Sequence, residues 1–269
     1  MTTETRPRSG VGPSLRAWRS RRRMSQLELA SRAGTTQRHV SFIESGRSVP
    51  GRAMVVRLAE SLELPLRERN ALLLASGYAP AYRESRLDDP ALAPVRTALI
   101  RVMEAHEPYP AVIVDRYADL VAGNAAFAAL TATADPELLR APVDVARLLL
   151  HPRGLAPRIV NLEEWAWHIL DSMRNEAVRN PDNRLTERIA GLTALVPERP
   201  RDPGPDYVGF AVPLRLRTPA GDEELRLLTT LTRFGTAADV TVAELKLEAF
   251  LPADARTAEL LAEAAAARR

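Results

Sequence analysis

The sequence predicts two domains of different class: an all-α domain of five short helices, then an α+β domain built on an antiparallel sheet. Three observations predict this. Between residues 14 and 78, apolar side chains recur at helical spacing in five short runs, each bounded by a cap, a glycine or a proline. Beyond residue 111 short runs with strand character appear, and near the end Leu214 and Leu216 alternate with Arg215 and Arg217. Between these regions lies APAYRESRLDDP, residues 79–90, whose proline and charge content marks a linker.

Each element follows from its own signals. Residues 1–13 lack periodicity and read as a flexible arm. The first helix starts after Ser14, with Leu15 and Trp18 inward and Arg16, Arg21, Arg22 and Arg23 mostly outward. Ser25 and Glu28 are spaced as a capping box for a second helix through Ala33, which Gly34 ends. Thr36 caps a third helix, 37–45, stopped by Gly46. Met54, Val55, Leu58, Ala59 and Leu62 form a fourth, and Pro65 opens a fifth that Gly77 closes. After the linker, a helix is expected over 91–105. Strands follow at 111–115 and 120–122, around the polar turn Arg116–Asp119, and Asn124 caps the next helix. Further helices are expected at 143–150, 161–178 and 182–195, and a loop at 198–206. Strands at 214–217, 225–234 and 245–251 complete a second domain over 91–255, leaving an Ala-rich tail, 256–269.

Charge separates the halves. Residues 1–80 carry a net +8 and the remainder −5, within a total of +3. A basic N-terminal part on a mildly acidic body points to a polyanionic partner for the first domain alone. Lys246 is the single lysine of the chain. The chain has no cysteine, which excludes disulfides and thiolate metal sites and fits a cytoplasmic setting. No apolar run approaches the roughly 18 residues of a membrane span. The four histidines, His39, His106, His151 and His168, have no metal-ligand spacing, so no metal and no cofactor is expected. There is no P-loop and no G-x-S-x-G; Gly10-x-Gly12 follows no strand. No enzymatic activity is expected.

Two helices joined across Gly34-Thr35 make a helix-turn-helix, the second offered to the DNA major groove. On it Val40, Ile43 and the aliphatic part of Glu44 face the core, while Gln37, Arg38, Ser41 and Phe42 face outward. Gln bonds adenine in two places, Arg bonds guanine O6 and N7, and an apolar group touches a thymine methyl. One small domain offers few such contacts, so specific binding calls for a homodimer on a repeated or palindromic site of double-stranded operator DNA.

Ser25-Gln26-x-x-Leu29-Ala30, Gly34-Thr35-Thr36-Gln37 and Ile43-Glu44-x-Gly46-Arg47 resemble the lambda-type phage repressors, the XRE-type helix-turn-helix family. The resemblance implies that Gln26 bonds a phosphate and braces Gln37, and that Gln37 and Arg38 read bases. It also implies that Thr36, His39, Ser45 and Arg47 hold the DNA backbone, and that Arg19 and Glu44 form an internal ion pair. Phe42 stands where the phage members commonly have a polar residue. Residues 38–47, 65–78, 107–115 and 155–165 extend the resemblance to the MmyB-like subfamily, over residues 14 to about 255. That implies a PAS-like ligand-binding domain, an antiparallel sheet with helices over one face, and a repressor rather than an activator. Asp115-x-x-x-x-Leu120-Val121-x-x-Asn124 is the PAS-like cue.

The helix NLEEWAWHILDSMR, 161–174, sets Trp165, His168, Ile169 and Ser172 on one face as candidate ligand contacts, and Arg158 is a candidate partner for a carboxylate head. The expected ligand is a small lipophilic, fatty-acid-like molecule. The alternative is a dimerisation or protein-interaction module without a ligand.

Overall fold

The computed structural model describes residues 10–199 and 212–268. They divide into two compact units, one of residues 10–85 with 236–243, the other of the remainder.

The first unit holds α1 (Val11–Arg21), α2 (Gln26–Arg32), α3 (Gln37–Glu44), α4 (Arg52–Ser61) and α5 (Leu66–Ala75). Helix α1 begins three residues before Ser14, so Val11–Pro13 of the expected arm are helical; residues 1–9 lie outside the described residues. Gly12 permits this start, because a Cβ there would stand 2.6 Å from the Ile43 carbonyl oxygen at the end of α3. Ser25 accepts from Glu28 N at 3.1 Å, but the reciprocal half of the capping box is replaced by a surface pair between Glu28 and Arg32 at 2.9 Å. Gly34 and Gly46 close α2 and α3 with φ of +62° and +75°, a region other residues enter only with strain. Leu15, Leu29, Val40, Ile43, Leu58 and Leu73 form the core, each worth about 1.5–3 kcal/mol when fully buried.

One polar cluster locks α3 in place. The Arg19 guanidinium donates to both Glu44 carboxylate oxygens, at 2.6 and 2.9 Å, and to the Met24 carbonyl at 2.8 Å. Gln26 Nε2 donates to Glu44 Oε2 at 2.9 Å. The Glu44 side chain is 4% exposed. Burial works against its charged form, but the bonds from Arg19 and Gln26 outweigh burial and hold its pKa below the ordinary carboxylate value. Three helices therefore converge on one carboxylate.

Residues 79–85 are fixed rather than free. Asn70 on α5 donates to Tyr82 O at 2.8 Å and accepts from the backbone of Ala81 and Tyr82. Residues 236–243, which lie in the chain between two strands of the other unit, belong here. Val240 N donates to Arg83 O at 2.8 Å, Ser85 N to Asp239 Oδ2 at 3.1 Å, and Thr241 Oγ1 to Ser85 O at 2.7 Å.

In the second unit, strands β1 (Ala111–Val114), β2 (Leu120–Gly123), β3 (Leu214–Arg217), β4 (Glu224–Arg233) and β5 (Lys246–Pro252) form an antiparallel sheet in the order β2-β1-β5-β4-β3. Asp115 accepts from Tyr117 N and Asp119 N at 2.8 and 2.9 Å and so shapes the β1–β2 turn. Asn124 caps α7 (Ala125–Thr131) at 2.9 Å through Phe127 N, and also binds Ala111 N and Tyr109 O. Then come α8 (Val145–Leu150), α9 (Leu162–Arg179) and α10 (Asn183–Thr193). Of the expected 198–206 loop, residues 200–206 lie outside the described residues. Short α11 (Val240–Glu244), which except for Glu244 belongs to the first unit, precedes β5 in the chain, and α12 (Ala255–Ala266) follows it.

Helices cover both faces of the sheet, not one. Val112, Val114, Leu227 and Phe250 pack with α7–α10, whereas Ala111, Ile113, Leu247 and Ala249 pack with α6 (Ala93–Glu104) through Leu99 and Met103. All of β1 is consequently buried, the condition for a continuous apolar strand rather than an alternating one. The Ala-rich end is also helical. Asp254 accepts from Thr257 N at 2.8 Å, buried Thr257 accepts from Arg226 N at 3.0 Å, and Leu261 enters the core. Among the described residues no helix is long and apolar enough to cross a membrane.

Two outcomes follow for Glu44. Glu44→Ala leaves half-buried Arg19 with only the Met24 carbonyl and should cost about 2–4 kcal/mol in denaturant unfolding; a loss below about 1 kcal/mol would mean the cluster does not hold α3. A carboxylate whose folded pKa is depressed contributes stability above its ordinary value of 4.5 and loses it as pH falls through the lower folded value. Thermal unfolding of the wild type should accordingly weaken below about pH 4.5, and Glu44→Gln should flatten part of that slope.

Candidate nucleic-acid interface and ligand cavity

Helix α3 carries the first site. Its N-cap, Thr36, accepts from His39 N at 3.2 Å, and Thr35 Oγ1 bonds His39 Nδ1 at 2.9 Å, so the imidazole is tied to the turn. Val40 and Ile43 are fully buried, and the opposite face of α3 exposes Gln37 and Arg38, with exposed Arg47 in the turn beyond the helix. Phe42 lies between two cations, with the Arg38 and Arg47 guanidinium carbons 5.2 and 5.8 Å from its ring centre. That is within cation–π reach, about 0.5–1 kcal/mol each at an exposed position. Half-buried Ser41 gives its carbonyl to the Ser45 hydroxyl at 2.8 Å. Gln26 does not brace Gln37. The nearby Glu44 carboxylate is the stronger acceptor and takes its amide.

The second site is a cavity of about 150 Å³ inside the α+β unit. Its apolar wall comprises Leu149, Trp165, Ile169, Met173, Leu231 and Phe250, from α8, α9 and the sheet. Its polar wall includes Ser172, Glu176, Arg233, Lys246 and Glu248. Cross-strand register places Lys246 opposite Arg233 and Glu248 opposite Leu231, all on the face that carries Phe250.

Of the five residues expected to meet a ligand, Trp165, Ile169 and Ser172 line this cavity together. His168 does not. The lining stripe on α9 centres between Trp165 and Ile169, and His168 lies roughly a quarter turn from it, exposed. Arg158 does not either. Its Nη1 binds Leu130 O and Thr133 Oγ1 and its Nε binds Arg217 O, each at 3.0 Å, so it ties β3 to the end of α7.

Sequence reasoning missed Lys246 and Glu248. Read as an alternating strand, KLEAFLP assigns both to solvent, yet β5 is central and packed on both faces. The lone lysine of an arginine-rich chain was the available signal. Burial, reinforced by Arg233, lowers the Lys246 pKa, and burial raises that of Glu248. Among the described residues no group of His, Asp or Glu is arranged to hold a metal ion.

Comparison with known proteins assigns both halves. Residues 15–69 match a helix-turn-helix family model, and residues 95–264 match the MmyB-like transcription regulator ligand binding domain. An uncharacterized HTH-type transcriptional regulator, y4dL, from Sinorhizobium fredii is 46% identical over 56 residues, 21% of this chain and 29% of that protein. The HTH-type transcriptional repressor RghR of Bacillus subtilis is 33% identical over 99 residues, 36% of this chain and 66% of that one. The chain thus spans less than two thirds of either relative. The solved structure of an RNA-binding light-oxygen-voltage receptor is 15% identical, covering 96% of this chain and 64% of that one; its TM-score of 0.29 is too low to bear on the fold. With the ligand-binding model alone spanning well over half of its length, the chain belongs to the MmyB-like family of helix-turn-helix transcription regulators.

Proposed function

We propose that this protein is a cytoplasmic repressor that binds operator DNA as a homodimer through α3, and that a small apolar, fatty-acid-like ligand in the cavity changes its DNA affinity. The observation that carries the reading is the exposed Gln37 and Arg38 on a helix anchored by the Arg19–Glu44–Gln26 cluster, with exposed Arg47 in the turn that follows it. In this reading Gln37 and Arg38 contact base edges, with Ser41 and Phe42 beside them on the same face. Thr36, His39, Ser45 and Arg47 lie against the phosphates, joined by Gln26 if its bond to Glu44 is shared. Phe42 keeps the two arginines extended toward the groove. The relative RghR, named a repressor, supports the sign of regulation.

A ligand shifts DNA affinity only if it binds two states unequally. Strands β4 and β5 both wall the cavity, and residues 236–243 between them bond the segment 83–85 that leads out of the helical unit. A change of strand spacing at the cavity is thereby passed to the chain that leaves α5. One observation favours the rival, an interaction module without ligand: the cavity, at about 150 Å³, is smaller than the roughly 300–1,000 Å³ of ordinary ligand pockets.

The operator is found by selecting duplexes from a random pool with the full-length protein. Gln37→Ala and Arg38→Ala should each lose about 1–3 kcal/mol of discrimination at one base position. Arg47→Ala should weaken all sequences alike and reduce the salt slope by about one. Unchanged affinity and selectivity in the first two variants would sink the assignment of α3. Organic extraction of the purified protein, followed by mass spectrometry, should release a small amphipathic molecule in stoichiometric amount; an empty extract would shift weight to the rival.

A further inference from the structure

The outward face of α3 ends in a cluster that base contacts alone do not require. Arg38 and Phe42 are four residues apart and share a helix face. Gly46, with φ of +75°, turns the chain back, so that Arg47 N and Ser48 N both donate to the Phe42 carbonyl, at 2.8 and 3.1 Å. That turn returns Arg47 to the same ring, and the two guanidinium carbons lie 5.2 and 5.8 Å from its centre. Among the described residues neither guanidinium has a hydrogen bond or an ion pair. Glu44, the acid of the same helix, is taken by Arg19 and Gln26. The donors of both arginines are therefore open, while the half-buried ring between them is held by its backbone and by cation–π attraction. A fixed apolar group between two open cations suits a surface that offers a methyl group between a base acceptor and a phosphate.

We propose that Arg38 and Phe42 read one unit of DNA, a guanine whose neighbouring base pair carries a 5-methyl pyrimidine, and that Phe42 is the residue that detects the methyl group. This rests on the reading of α3 as the recognition helix and names the step it selects. Arg38 donates to guanine O6 and N7, the acceptors its fork matches. Successive base pairs are about 3.4 Å apart, so a ring centred 5.2 Å from the Arg38 guanidinium carbon reaches the same pair or the next. The same pair is G·C and holds no thymine. The apolar contact left for the ring is the C5 methyl of a pyrimidine on the adjacent pair. Thymine and 5-methylcytosine carry that methyl alike, so methylation of a cytosine at this position raises affinity. Arg47, held to the same ring, lies on a phosphate and fixes the ring at that step.

The test uses the full-length protein and the duplex most enriched by selection, with fluorescence anisotropy as the readout. Arg38→Ala first locates the guanine, as the position where discrimination is lost. Each thymine is then replaced in turn by deoxyuridine, which removes one methyl and leaves the pairing unchanged. One replacement, next to that guanine, should weaken binding about three- to fivefold per half-site, the worth of one methyl removed from water. With a C·G pair at that position, 5-methylation of the cytosine should strengthen binding by the same factor. Phe42→Ala should abolish both methyl effects. Phe42→Leu, which keeps an apolar contact without the ring, should retain them, and that separates loss of the contact from loss of folding. Equal binding with and without every methyl, while Arg38 still selects its guanine, overturns the role of Phe42 and leaves α3 as the reader. A methyl effect that survives Phe42→Ala, or one that thymine shows and 5-methylcytosine does not, also overturns it. Arg38→Ala with every base preference intact overturns both readings.

Discussion

The helical unit depends on one buried carboxylate. Glu44 sits at the end of α3, and its two oxygens are claimed by Arg19 from α1 and Gln26 from α2. Hydrophobic contacts alone hold a short helix at roughly the right distance but leave it free to roll about its axis. Three charge-assisted bonds from two directions remove that freedom. The direction in which Gln37, Arg38 and Arg47 point is therefore set by a group that never meets DNA. The close approach of Gly12 to the same end of α3 adds a steric limit on the other side.

In the α+β unit the corresponding constraint is the position of β5 at the middle of the sheet. Odd-numbered residues Leu247 and Ala249 pack on α6, while even-numbered Lys246, Glu248 and Phe250 face the cavity and the main core. A solvent-facing strand tolerates Lys and Glu at no cost. A central one sets Lys246 and Glu248 half-buried on one face, each in the field of the other's opposite charge.

Much of this was legible in the sequence, and the failures share a cause. Caps at Ser25, Thr36 and Asn124 and glycine stops at Gly34 and Gly46 act over three or four residues, so the chain spells them out. The strand positions were legible because β-period runs were flanked by turns. What local pattern could not convey was which faces another element would cover. That is why α6 on the second sheet face, the half-burial of Lys246 and Glu248, and the docking of α12 through Thr257 and Leu261 emerge only from the fold. Arg158 and His168 failed for the same reason, since a residue's chemistry does not reveal whether nearby carbonyls or solvent will take it. Gln26 adds a subtler case, in which the expected donor was right and a stronger acceptor intervened.

The segment 236–243 has a consequence for modularity. It is encoded between β4 and β5 yet belongs to the unit whose other residues end at Ser85. The first unit is therefore not a contiguous stretch of gene, and the second is interrupted by a piece of the first. Exchanging DNA readers among relatives by recombination at the linker would sever Val240 from Arg83 and Thr241 from Ser85. The two halves are thus bound to co-inheritance: a new operator specificity is reached by substitution on α3 more readily than by swapping a domain.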